Sequence, residues 1–328
     1  MSRTSVCAAW IVIAGAGAAA AQSPAPVPAR EKLLIVTSLF DDNASVFRMQ
    51  GGSAASSVKL IATGKRPTEV CVSPDGKRAY VSNSGEATIT VLDLDALTAA
   101  ATVAVPGLKV PDGCAVSGDS RKLYLADQAG NKVYVLSTET TKVLKTIDVG
   151  EEPRRIVVAR DGTTYVSSEK AGVITLGKDD QLLSTRKVGR GPRSMGLSPD
   201  QKTLLVASVD DDAISFVDPA TGEVQTTIGA VGNSPQRVAV TVDGQSAVVV
   251  SRNSNSLHVI NLAGGSRRAG HAVPVGRTPM GLELGESANI AYVLLSGENL
   301  VAIVDLRSGD TVRVLPTGKY PMGLAFRR

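Results

Sequence analysis

The sequence predicts an all-β chain closed into a seven-bladed β-propeller, and three observations carry that prediction. A Pro that follows a Gly-containing or loop segment and precedes an apolar run recurs at Pro67, Pro111, Pro153, Pro192, Pro235, Pro279 and Pro321, at intervals of 44, 42, 39, 43, 44 and 42 residues. Each interval divides into four short strand-like runs separated by Gly, Asp, Asn and Ser, the content of one four-stranded blade of about 42 residues. The segment after Pro321 holds a single run where residues 33–64 hold three, so head and tail together supply one further blade.

Within a unit each element has a local reason. The first run follows the Pro, which has no N–H to donate and therefore opens a strand without loss. Four first runs end in a turn built on Asp or Pro-Asp: Ser73-Pro74-Asp75-Gly76, Arg160-Asp161-Gly162, Ser198-Pro199-Asp200-Gln201 and Val242-Asp243-Gly244. The second run is rich in Tyr and β-branched residues, as in Ala79-Tyr80-Val81-Ser82-Asn83 and Thr164-Tyr165-Val166-Ser167-Ser168. The third ends in Asp, as in Ile89–Asp93, Ile214–Asp218 and Val301–Asp305, and the fourth leads to the next Gly, as in Thr146–Gly150. Runs such as Ile156-Val157-Val158 and Ala247-Val248-Val249-Val250 are apolar at every position, which suits a strand covered on both faces by neighbouring blades. In the head, the three runs are Leu33–Thr37, Ser45–Met49 and Val58–Ala62. Ring closure then leaves no open sheet edge at the seam.

Composition agrees. Of 328 residues 43% are hydrophobic and only 3% aromatic, with 32 Gly and 16 Pro. That is too apolar for a disordered chain and too rich in Gly and Pro for a coiled coil or helical bundle. The start of the chain differs from the rest. Arg3, the apolar stretch from Val6 to Ala21 and the small residues Ala19-Ala20-Ala21 predict a secretory signal over 1–21, with a retained anchor as the alternative. A short Pro- and Ala-rich tether over 22–32 and a single domain over 33–328 follow. Cleavage would remove Cys7 and Trp10, leaving Cys71 and Cys114 in an oxidising compartment. The expected location is periplasmic or secreted, with no membrane span after cleavage, since no later stretch reaches about 20 apolar residues.

Tyr80-Val81-Ser82-Asn83 after Ser73-Pro74-Asp75-Gly76, followed by Val91-Leu92-Asp93, resembles the YVTN-type β-propeller repeat, and the likeness extends over essentially all of the chain beyond the leader. Ser117-Gly118-Asp119-Ser120 and Leu284-Gly285-Glu286-Ser287 depart from the turn pattern. The resemblance implies the fold but not one function. Similar propellers serve as secreted or periplasmic binding proteins, surface-layer proteins, lactonase-like enzymes and parts of quinoprotein or haem oxidoreductases.

In such a ring the loops before the first strands and those between second and third strands share one face. Every loop before a first strand carries a cation: Lys65 and Arg66, Lys109, Arg154 and Arg155, Arg190 and Arg193, Arg237, Arg277, and Lys319. Gathered round one axis they would focus a positive potential at the channel mouth. The expected partner is an anionic small molecule or a partner protein; a nucleic-acid backbone is the narrower possibility, because the loops offer little aromatic stacking beyond Tyr320. Asp41-Asp42-Asn43 and Asp210-Asp211-Asp212 read as solvated hairpin tips paired to nearby Arg rather than Ca²⁺ ligands. His258 and His271 fall outside the mouth loops, and there is neither a Gly-x-Ser-x-Gly nor a Cys-x-x-Cys-His. No catalytic residue, metal set or cofactor is therefore expected. A lactonase-like, metal-assisted hydrolase and an accessory subunit of a periplasmic oxidoreductase stand as alternatives. Cys71 and Cys114 lie in adjacent first strands with opposite pleat parity, so they either face each other, permitting a disulfide, or both face away.

Overall fold

The computed structural model describes residues 30–50 and 53–327. The expected signal segment 1–21 lies outside the described residues, as do residues 22–29 of the expected tether. Seven antiparallel four-stranded sheets make a seven-bladed propeller. In blade 1 the strands are Pro67–Val72, Arg78–Asn83, Thr88–Asp93 and Thr98–Ala104, ordered from the channel outward. Blades 2 to 6 repeat this from inner strands at Pro111–Val116, Pro153–Val158, Pro192–Leu197, Pro235–Val240 and Pro279–Leu284. The closing blade takes its inner strand, Pro321–Arg327, from the tail and the other three, Leu33–Ser38, Asn43–Gln50 and Ser53–Ala62, from the head.

Burial follows position in the blade. Second strands are covered by neighbours on both sides, so Thr164–Ser168 and Leu204–Ser208 are buried throughout and Ala247 to Val250 have no exposure. Fourth strands form the outer wall and are mostly exposed, as over Val143–Asp148. Inner strands border the channel. That is why Val157 and Val158, apolar like their neighbour Ile156, are only half-buried while Ile156 is buried. The core lies between sheets: Tyr80, Ile89 and Val91 of blade 1 pack with Leu123, Leu125 and Tyr134 of blade 2.

The seam is held in register by Leu33 opposite Arg327, Leu34 opposite Phe326 and Ile35 opposite Ala325. Arg327, only 3% exposed, donates to the Glu31 carbonyl, the Leu94 carbonyl and the Asp95 carboxylate, each at 2.9 Å. Glu31 and Lys32, the last residues of the expected tether, reach the closing blade. Glu31 pairs with Arg48 at 2.9 Å, and the Lys32 carbonyl accepts the Met49 N–H at 2.9 Å.

Candidate functional site: the channel and its arginines

The Pro that opens each inner strand also aims the channel side chains. In blades 1 to 6 the pairing with the second strand slips just after it, skipping Thr68-Glu69, Asp112-Gly113, Arg154-Arg155, Arg193, Gln236 and Met280. A bulge of this kind turns the extra residue away from the ladder and bends the strand. Here it presents a cluster of charges to the axis.

Four of the predicted site residues converge there, and each meets a carboxylate. Arg154 lies 3.0 Å from Asp112 and also holds Glu169 at 2.5 Å. Arg193 reaches the same Glu169 at 3.0 Å. Deeper in, Glu69, 3% exposed, accepts Arg155 at 2.7 Å and Arg237 in a still shorter contact. The arginines come from blades 3, 4 and 5 and their acids from blades 1, 2 and 3, so the ion pairs tie neighbouring and opposed blades together. Protein surrounds these guanidinium groups, yet channel water reaches them: the side chains of Arg154, Arg155, Arg193 and Arg237 keep 17 to 23% exposure.

Compensation is uneven. Burial pulls Arg154 and Arg155 down, but Asp112 and Glu169 on one and Glu69 and Glu283 on the other outweigh it and raise both pKa values. Arg237 is lowered. Burial is the main cause, and repulsion from Arg155 and Arg193 adds to it against the pull of Glu69. It remains charged, as arginine does, and is paired with Glu69.

The remaining cations do not join this cluster, which corrects the expectation of one basic ring. Lys65 pairs with Asp42 at 2.8 Å and Arg190 with Asp211 at 2.6 Å, their side chains 66% and 76% exposed; Arg277 lies 3.7 Å from Glu298. Arg66, Lys109 and Lys319 present backbone rather than side-chain contacts to the turns: their N–H groups donate to Asp42, Asp127 and Asp41 at 2.8, 3.1 and 2.7 Å. The physical reason is local. The hairpin joining second and third strands ends in a left-handed residue, such as Asp42 or Asp212 at φ 51°, whose carboxylate caps the next loop, as Asp212 caps the Ser234 N–H at 2.7 Å. The acidic clusters at 41–43 and 210–212 are thus structural caps that also draw Lys65 and Arg190 to the rim.

The other candidates are placed as follows. A disulfide joins Cys71 to Cys114, with Cα atoms 5.9 Å apart, so the two inner strands face each other there. His258 is buried, its Nε2 3.1 Å from Ser256 Oγ, and burial lowers its pKa; His271 is exposed on an outer strand. Among the described residues no three His, Cys, Asp or Glu side chains are grouped to hold a metal, and no helix is long and apolar enough to cross a membrane. Glu69, Asp112 and Glu169, the acidic members of the ion-pair network, are not singled out by the sequence pattern. Glu69 and Asp112 occupy the same slots after the Pro as Arg155 and Arg154, and that alignment was the available signal.

Comparison with known proteins fits this architecture. A family model described as YNCE-like beta-propeller matches residues 5–163 and 173–325. The seven-bladed beta-propeller protein Rv1057 of Mycobacterium tuberculosis is 32% identical over 134 residues, which is 38% of this chain and 33% of that protein. The chain therefore matches about a third of that relative's length. A solved structure from Lactobacillus plantarum superposes with a TM-score of 0.79 at 18% identity, over 91% of this chain and 99% of that one. A Bacteroides fragilis protein assigned provisionally as a 6-phosphogluconolactonase gives 0.76 at 15% identity, over 92% and 99%. At such identities the superpositions establish the fold alone.

Proposed function

The chain belongs to the YNCE-like β-propeller family, and we propose that it is an exported binding protein that takes an anionic ligand at its arginine-lined channel. The ligand is a small molecule or an acidic segment of a partner protein. One observation carries the reading: Arg155, Arg193 and Arg237, from three consecutive blades, are brought together at the axis beside Glu69 and Glu169, and channel water reaches all three. A phosphate or carboxylate entering from the mouth would accept charge-assisted hydrogen bonds from guanidinium groups already held in place. Export is supported by the signal-like residues 1–21 and by the Cys71–Cys114 disulfide, which belongs in an oxidising compartment.

Thermal unfolding in a panel of phosphorylated and carboxylated metabolites tests this. Ligands with two or more negative charges should raise the midpoint, and Arg193→Gln, at the mouth, should weaken them about tenfold or more. A panel without any anion-specific stabilisation defeats the reading. The likeness to a provisionally assigned 6-phosphogluconolactonase favours including a phosphorylated sugar lactone. Its turnover, abolished by Arg193→Gln, would move the protein to the hydrolase alternative.

A further inference from the structure

We propose that the outer wall between blades 1 and 2 carries a second site, for a monoanionic amphiphile: a carboxylate at the end of an apolar body. A groove of about 680 Å³ lies there between the fourth strand of blade 1, Thr98–Ala104, and the last two strands of blade 2, Lys132–Ser137 and Val143–Asp148. That volume falls within the range of about 300–1,000 Å³ usual for small-molecule sites. Val103, Ala104, Pro106 and Val143 give it an apolar wall. The Cys71–Cys114 disulfide joins the same two blades at the channel, so they cannot part at their inner edge.

Tyr134 is the residue that points to a ligand. It is only 5% exposed, and its ring packs in the core between the two blades. Its hydroxyl reaches the turn at Gly107, where a Cβ on that glycine would lie 3.0 Å from it. Tyr124 and Tyr165, as deeply buried, donate to Asp180 and to the Pro219 carbonyl, each at 2.9 Å. Tyr134 donates to no acceptor among the described residues, although it lines the groove. A buried phenol normally has a hydrogen-bond partner, and here the groove must supply it.

The charges select the ligand class. Lys132 and Lys142 line the groove and no carboxylate does. Lys132 is already paired with Asp148, whose side chain is 85% exposed, whereas Lys142 has no ion-pair partner among the described residues. Asp127, which acts on Tyr134 electrostatically, is fully buried and taken up by the Lys109, Val110 and Gly130 N–H groups. What remains for a guest is the Tyr134 hydroxyl, the Lys142 ammonium and the apolar wall. A carboxylate has only acceptors to offer and suits both donors. A neutral guest forgoes the cation, and a cationic one is repelled by it. A phosphate or dicarboxylate would set its second charge against the apolar wall or against Asp148. Aliphatic acids of medium length have the favoured form.

Equilibrium dialysis of the full chain against octanoate, butyrate, octan-1-ol and octyltrimethylammonium tests the assignment. Octanoate has both the negative charge and the apolar body; butyrate lacks most of the body, octanol lacks the charge and the ammonium reverses it. Octanoate should bind about tenfold or more tightly than any of the others. Tyr134→Phe keeps the ring in the core and removes only the donor, so it should weaken octanoate about tenfold and leave octanol unchanged. Lys142→Gln should weaken octanoate about two- to fivefold. No binding of octanoate at about 10 mM overturns the proposal, as does octanol binding as tight as octanoate's or indifference to Tyr134→Phe. Loss of octanoate binding in Arg193→Gln would put the ligand in the arginine channel and overturns it equally. If Tyr134→Phe does not fold, Lys142→Gln and the comparison of the four ligands decide.

Discussion

Glu69 of the first blade and Arg237 of the fifth, 168 residues apart in the chain, form an ion pair across the channel, and Glu69 shares its carboxylate with Arg155. One buried acid thus compensates two partly covered bases. Breaking such a group by removing one member costs far more than its net contribution, because the partners stay buried. Glu69→Gln should therefore destabilise the fold by about 3–5 kcal/mol in urea unfolding. Arg237→Gln should cost clearly less, since Glu69 keeps Arg155. Equal losses would mean that the acid does not serve both.

Removal of the disulfide is expected to act mainly through the unfolded chain. Cys71 and Cys114 are 43 residues apart in sequence, and closing a loop of that size contributes about 4 kcal/mol in the chain-entropy picture. The Cys71→Ala, Cys114→Ala double variant should show a loss approaching that figure, and reductant should then have no further effect on it. A loss near zero would mean that the two strands are held together just as well by packing.

Ring closure is tested at Arg327. Its guanidinium ties the tail strand to the Glu31 carbonyl and to Leu94 and Asp95 of blade 1, so Arg327→Ala leaves a buried gap and unsatisfied carbonyls. A loss of about 3 kcal/mol is expected, with amide exchange accelerating first over Leu33–Ser38. Uniform acceleration round the ring would show that the seam is no weaker than other blade interfaces.

Acid sensitivity follows from the turn carboxylates. Asp161 is lowered to about 2 by the Thr163 N–H, by Lys178 and by the Thr163 hydroxyl. Asp119, Asp200 and Asp243 are lowered chiefly by the hydroxyls of Ser117, Ser198 and Thr241. A depressed carboxylate stabilises the fold above its unfolded pKa, here 3.8, and that contribution disappears as pH falls through the folded value. Stability should therefore be level from pH 7 to about 5 and drop between about 4 and 2. Asp161→Asn should lower it at pH 7 and flatten the acid limb; an unchanged limb would place the titrating groups elsewhere.

What could be read from sequence, and what could not, divides along chain distance. The blade count and the use of the tail as an inner strand follow from Pro spacing and the four runs per unit, both local and repeated. The convergence of Arg154, Arg155, Arg193 and Arg237 was visible for the same reason, because a repeat fixes equivalent positions. The partners were not. Asp112 is 42 residues from Arg154 and Glu69 is 168 from Arg237, and a survey of cations alone passes over the acids that occupy matching slots. Lys65, Arg190 and Arg277 misled because their direction is set by carboxylates in hairpins, a matter of turn geometry rather than of spacing.

The borrowed strand of the closing blade also sets the order of events at birth. Leu33–Ser38 is made early and has one flank waiting for Pro321–Arg327, so during synthesis that flank stays unpartnered until nearly the whole domain exists. The circle cannot lock piecemeal from its start. If residues 1–21 direct export, the nascent polypeptide would reach the translocation machinery with its ring still open at the closing blade, and the circle would lock only after the final strand arrives.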